Sequence, residues 1–153
     1  MTYIAVRVRG HTGVRGEIAD TMSHLRLHKV NHAVVVPKNE SYEGMLRKAR
    51  DWIAYGELSQ ETLAELLRTR ARVEGDAPLT DAYVAENSKF RTIDELAGAI
   101  AGGQAGLKDV EGLKPVLRMN PPRKGYGGNK RHYPMGALGN WGADINELVR
   151  RMV

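Results

Sequence analysis

Cysteine is absent from the 153 residues, phenylalanine occurs once and tryptophan twice. Without cysteine there is no disulfide framework, no thiolate zinc site and no cysteine nucleophile. Long apolar runs are missing too. The longest stretches without a charged residue, 96–107 and 132–143, are Gly-rich and far short of the ~20 apolar residues that a membrane-spanning helix needs. An alternating strand pattern begins directly at Tyr3, so no signal peptide is expected. A cytosolic setting is the default expectation.

What is present fits one globular domain. A chain of this length buries about 70% of its unfolded surface. Its apolar content is ordinary, and its 17 glycines exceed the usual share of ~7%, which implies many turns or an extended arm. The formal net charge of +5 comes from 23 lysines and arginines against 18 acidic residues. That charge is unevenly spread. Residues 1–54 carry a net +4, residues 55–113 a net −5, and residues 114–133 six cations and no anion.

Hydrophobic periodicity gives the elements. Residues 3–9 alternate as a strand, with Ile4, Val6 and Val8 on one face and Tyr3, Arg7 and Arg9 on the other. Ile18, Met22 and Leu25 mark an amphipathic helix over about 14–28. Ala33–Val36 is a buried strand that Pro37 stops. Ser41 is expected to cap a second helix with Tyr42, Met45, Leu46, Ala49 and Trp52 on its apolar face. Residues 53–56 read as a third strand. The first third is thus a β-α-β-α-β unit with helices on one sheet face. The next third is helical. Ser59 caps a helix with Leu63, Leu66 and Leu67 inward, residues 80–88 form a short helix at best, and Thr92 with Glu95 makes a capping box. Residues 116–119 suit a strand. Ile145, Leu148, Val149 and Met152 mark a C-terminal helix.

Enzyme signatures are missing. There is no P-loop, no Gly-x-Gly-x-x-Gly between a strand and a helix, and no Gly-x-Ser-x-Gly. His24, His28 and His32 recur every four residues, but no carboxylate accompanies them at ligand spacing, and they read as polar-face histidines rather than metal ligands. No cofactor site is indicated. Residues 120–134 are different. Their cations are interleaved with Tyr126, His132, Tyr133, prolines and glycines, and little in them can be buried. Such a segment cannot offset its own ordering entropy, and is expected to be a disordered loop or an arm ordered by a partner. Cations neutralise phosphates and release counterions. Tyr and His rings stack on unpaired bases. The combination suits RNA, whereas a membrane-surface helix would need interleaved Leu or Phe.

Five collinear stretches carry a family resemblance: Ile-x-Val-Arg-Val-Arg-Gly from Ile4 to Gly10, Leu25-Arg26-Leu27, Ile53-Ala54-Tyr55-Gly56, Pro121-Pro122-Arg123-Lys124-Gly125, and the ending from Ala143 to Met152. Together they resemble the archaeal large-subunit ribosomal protein L-thirty family, whose eukaryotic relative is called L-seven. The resemblance implies an α+β fold: a ferredoxin-like β-α-β-α-β core (1–57), a helical extension (58–113), and a basic C-terminal arm with a last helix on the same domain (114–153). It implies a non-enzymatic, cytoplasmic constituent of the large subunit that contacts ribosomal RNA, including the 5S rRNA region, and neighbouring large-subunit proteins. Neither a membrane nor a small-molecule substrate is implied. The RNA-facing positions it implies are Arg9, His11 and Arg15 after the first strand, Lys29 and Asn31 before the second, and Arg118, Arg123, Lys124, Tyr126, Lys130 and Arg131 in the arm. His132 joins them through its stacking chemistry. The acidic middle third is expected to face away from RNA. Trp141, unusual for the family, is expected to pack against the core. A small-molecule sensor or metabolic enzyme on the same core would leave the basic arm unexplained. A free RNA chaperone would bind many RNAs loosely.

Overall fold

The computed structural model describes residues 2–153. Five strands, β1 (Thr2–Arg7), β2 (His32–Pro37), β3 (Ile53–Glu57), β4 (Val116–Arg118) and β5 (Gly139–Asn140), form one sheet in the order β4-β2-β1-β3-β5. The central β1 runs antiparallel to both β2 and β3, and β4 is antiparallel to β2. The two-residue β5 lies parallel to β3. The helices are α1 (Gly16–His24), α2 (Glu40–Lys48), α3 (Gln60–Thr69), α4 (Asp81–Asn87), α5 (Ile93–Ala101) and α6 (Ile145–Met152). The α+β class implied above is the one observed.

Helices cover both sheet faces: α1 and α2 of the β-α-β-α-β unit lie on one, as expected, and later helices on the other. Tyr3 and Ala5 pack with Met22, Leu46 and Trp52 beneath α1 and α2. Ile4 and Val6 pack with Leu66, Leu96, Ile100 and Leu148 from α3, α5 and α6. Every residue of β1 is therefore buried, although its sequence alternates. The second layer comes from chain beyond residue 57, so residues of all three segments share one apolar cluster. Truncating a fully buried Leu in such a cluster costs about 2–5 kcal/mol.

Several element ends differ from those the sequence predicts. The residue that caps α2 is Asn39, whose side chain accepts from the Tyr42 amide at 2.9 Å, and Ser41 lies inside the helix. Helix α1 stops at His24, not His28. The amide of Leu27 donates to the Met22 carbonyl and that of Arg26 to Ser23, with Arg26 left-handed at φ 64°. This six-to-one closure usually carries glycine at the left-handed position. β1 leaves its ladder at Arg7, because the amides of Val8 and Arg9 both donate to the Trp52 carbonyl, at 3.1 and 3.3 Å. Two residues opposite one make a bulge, which bends a strand end. The expected caps at Ser59 and Thr92 are present, and Thr80 also caps α4 through its side chain.

Strand β3 meets the start of α6 through a glycine. A Cβ on Gly56 would lie 2.3 Å from the Gly142 carbonyl oxygen and 2.8 Å from the Ile145 Cβ. Gly56→Ala is expected to lower the unfolding free energy by about 1–3 kcal/mol, as overpacking does, measured by urea denaturation.

Candidate nucleic-acid interface

The sheet topology gathers distant residues at one end. The C-terminal ends of β1 and β4 lie there with the N-terminal ends of β2 and β3. Arg7 pairs with Ile53 and His32 with Arg118. The turn after β1 carries Arg9, His11 and Arg15, and the turn before β2 carries Lys29 and Asn31. β4 delivers Arg118 and leads into residues 120–134.

Arg9 lies over the Trp52 ring, 4.2 Å from its centroid, and its Nη1 donates to the Asp51 carbonyl at 3.4 Å. Stacking of this kind holds a guanidinium flat while leaving its other edge free. Asn31 is left-handed at φ 69°, a conformation that Asn tolerates better than most residues. Its amide donates to the Arg7 carbonyl at 2.8 Å, its carbonyl accepts from Met119 at 3.1 Å, and its side chain accepts from the Tyr126 hydroxyl. Asn31 thus ties β1, β2 and β4 together. Its side chain is occupied within the protein.

The segment 120–134 is neither free nor extended, contrary to what its composition implies. It closes over the carbonyl end of α6, whose last carbonyls have no partner within the helix. The Asn120 amide donates to the Met152 carbonyl and the Arg123 amide to the Arg151 carbonyl, each at 3.0 Å. The Arg151 guanidinium returns bonds to the carbonyls of Arg123 and Gly125. Tyr126 is half-buried against the apolar cluster, and burial pushes its phenol pKa up. Its ring belongs to the core and is not free for base stacking. His132 pairs with Asp51 at 2.7 Å. Tyr133 stacks on Trp141 at 4.5 Å, while the Trp141 indole donates to the Ala137 carbonyl and packs against the core, as expected for it.

Those bonds leave the cations outward. Arg15, Lys29, Arg118, Lys124, Lys130 and Arg131 are exposed and make no ion pair among the described residues. The acidic third does not stay wholly apart from them. Asp76 pairs with Lys114 at 2.6 Å, and its carboxyl is held below the usual range by that hydrogen bond, with Arg118 and Arg72 adding smaller pulls.

Two residues of this end, Arg7 and His32, stand out only once the chain is folded. Alternation sets Arg7 on a polar-looking face, yet it is 4% exposed. Half-buried His32 has an unpartnered Nδ1. Burial lowers its pKa, and the charges of Arg118, Lys29, His28 and Arg7 lower it further. A histidine depressed by four surrounding basic residues is an electrostatic marker of this end, and only folding brings those four together.

The chain is similar in sequence to known proteins. The family model described as Ribosomal protein L30p/L7e matches residues 3–53. The chain is 48% identical over 151 residues to the large ribosomal subunit protein uL30 of Methanocorpusculum labreanum, covering 98% of this chain and 99% of the relative. The uL30 of Archaeoglobus fulgidus is 49% identical over 150 residues, with the same coverage. That of Methanosphaera stadtmanae is 45% identical over 152 residues, covering 99% of each.

In an NMR titration of the free protein, His32 is expected below its ordinary pKa of 6.5, and bound polyanion is expected to raise it. The unfolded chain takes up this proton first. Stability is therefore full above pH ~6.5 and declines as pH falls from there towards the folded pKa. His32→Gln should flatten that decline in pH-dependent denaturation.

Proposed function

From the premise that the chain belongs to the ribosomal protein L30p/L7e family, we propose how it holds its RNA. The protein is a structural component of the large ribosomal subunit, and ribosomal RNA and other ribosomal proteins are its partners. In our reading the basic end of the sheet is the RNA-docking surface. Arg9, His11, Arg15 and Lys29 approach from the turns, Arg118 from the end of β4, and Arg123, Lys124, Lys130 and Arg131 from the pinned loop, with the 5S rRNA region among the contacts. Asn31 and Tyr126 serve that surface by shaping it, and His132 does so through Asp51.

The observation that carries this reading is the convergence of cations from the ends of β1, β2 and β4, most of them without a carboxylate partner among the described residues. Unpaired surface cations cost little in water, and they release counterions when phosphates replace solvent. The geometry also changes the expected mode of binding. A loop already tied to α6 presents its cations with less ordering entropy to lose than a disordered arm would.

Arg123→Ala combined with Lys124→Ala should weaken binding to large-subunit rRNA. The slope of log K against log salt should flatten by about 0.7–0.9 for each phosphate no longer neutralised. Filter binding across a potassium chloride series measures both. An unchanged slope removes the loop from the interface. Hydroxyl-radical footprints on reconstituted 5S-containing particles test the 5S contact separately.

A further inference from the structure

Arg7 is a buried cation with no anion. It is 4% exposed, and none of the partners of its guanidinium is a carboxylate. Nε donates to the Arg9 carbonyl at 2.9 Å and Nη1 to the Leu27 carbonyl at 2.7 Å. Nη2 reaches the Gly10 carbonyl at 3.2 Å and the His11 Nδ1 at 3.4 Å. Among the described residues no carboxylate lies within ion-pair distance of it. Burial is the cause that lowers its pKa, with no acidic neighbour opposing it. An uncompensated buried charge is costly, and Met or Leu could fill the same space without that cost.

A cavity of about 260 Å³ opens beside this guanidinium, lined by Val14, Ala19 and Leu27 and rimmed by His11, Ser23 and His28. No acidic residue lines it. Ser23 and His28 are exposed, and no hydrogen bond among the described residues occupies either side chain. The two contacts of Nη2 are the longest that Arg7 makes, and one of them is to the exposed His11 ring, which can turn aside. A guanidinium donates two parallel N–H groups to one phosphate, a geometry that Lys cannot supply.

We propose that this cavity is a phosphate subsite, in which one backbone phosphate of the bound RNA sits on the Arg7 guanidinium and takes further hydrogen bonds from Ser23, His28 and His11. The site deepens the docking surface proposed above and rests on that reading for the identity of the RNA. Its floor is fixed before RNA arrives, because the same guanidinium clamps the turns on either side of α1. The subsite would therefore set the register of the RNA on the sheet end, while the loop supplies affinity. No base contact is implied, since phosphate contacts position and do not specify sequence.

Two measurements test it. The first needs no RNA: thermal unfolding in inorganic phosphate and in chloride at matched ionic strength. Phosphate should raise the melting temperature of the native chain by about 2–4 °C. Ser23→Ala with His28→Ala, both exposed, should keep the chloride melting point and lose the rise. No rise in the native chain, or an equal rise in the variant, overturns the subsite. The second is rRNA binding against salt. Arg7→Gln, if it folds, should flatten the slope by about 0.7–0.9, whereas lower affinity at an unchanged slope would make Arg7 only a clamp for the turns and overturn the proposal. If Arg7→Gln does not fold, the Ser23/His28 variant should bind the same RNA several-fold more weakly, and unchanged affinity overturns the RNA assignment. Should the native chain bind no rRNA at all, the docking reading fails, and the phosphate measurement still decides the subsite alone.

Discussion

The double pairing of β1 decides the geometry of the rest. A strand hydrogen-bonded to antiparallel neighbours on both sides places its own C-terminal end beside the N-terminal ends of both. Antiparallel β4 then adds another C-terminal end at the same place. Backbone pairing therefore brings together four chain segments between 7 and 118 in sequence. Their cations repel one another once gathered. Backbone ladders and the two apolar layers hold them together, so the stability of the sheet is what sustains an electrostatically unfavourable surface.

That separation explains what the sequence could and could not reveal. Local patterns were readable. The caps at Ser59 and Thr92 announce α3 and α5, and the alternation from Tyr3 announces β1. The end of α1 was not readable, since its left-handed position holds Arg26 where glycine would have signalled the stop. Asn39 and Ser41 are both good caps, and only the chain path out of β2 selects between them. β5 is two residues long and owes its existence to a parallel pairing with β3, 85 residues earlier at Ala54–Gly139. No local signal exists for such a pairing.

The proposed docking end was legible as chemistry and illegible as architecture. Charge blocks and Gly/Pro/Tyr texture pointed to RNA and to the segments that gather at the basic end. They could not show that residues 120–125 satisfy the carbonyl end of α6, because hydrogen bonds between backbones leave no trace in composition. Nor could alternation reveal the burial of Arg7. A period of two separates faces, but it does not say whether a face meets solvent or another layer. Here α1 and α2 cover the face that bears the arginine.

Stiff parts at this end have an energetic consequence. A flexible arm loses conformational entropy when it binds, roughly 1–2 kcal/mol for each residue fixed. The loop here has already lost much of that freedom to its bonds with α6 and to the Tyr126–Asn31 hydrogen bond. Arg9 is held flat on Trp52, and Asp51 restrains both Arg9 and His132. Even the acidic residue at this end therefore acts as a brace for basic ones. A surface preorganised in this way gives up some reach. In the proposed docking, less of the counterion-release free energy is consumed in ordering the protein, and more is left to hold the RNA in one register.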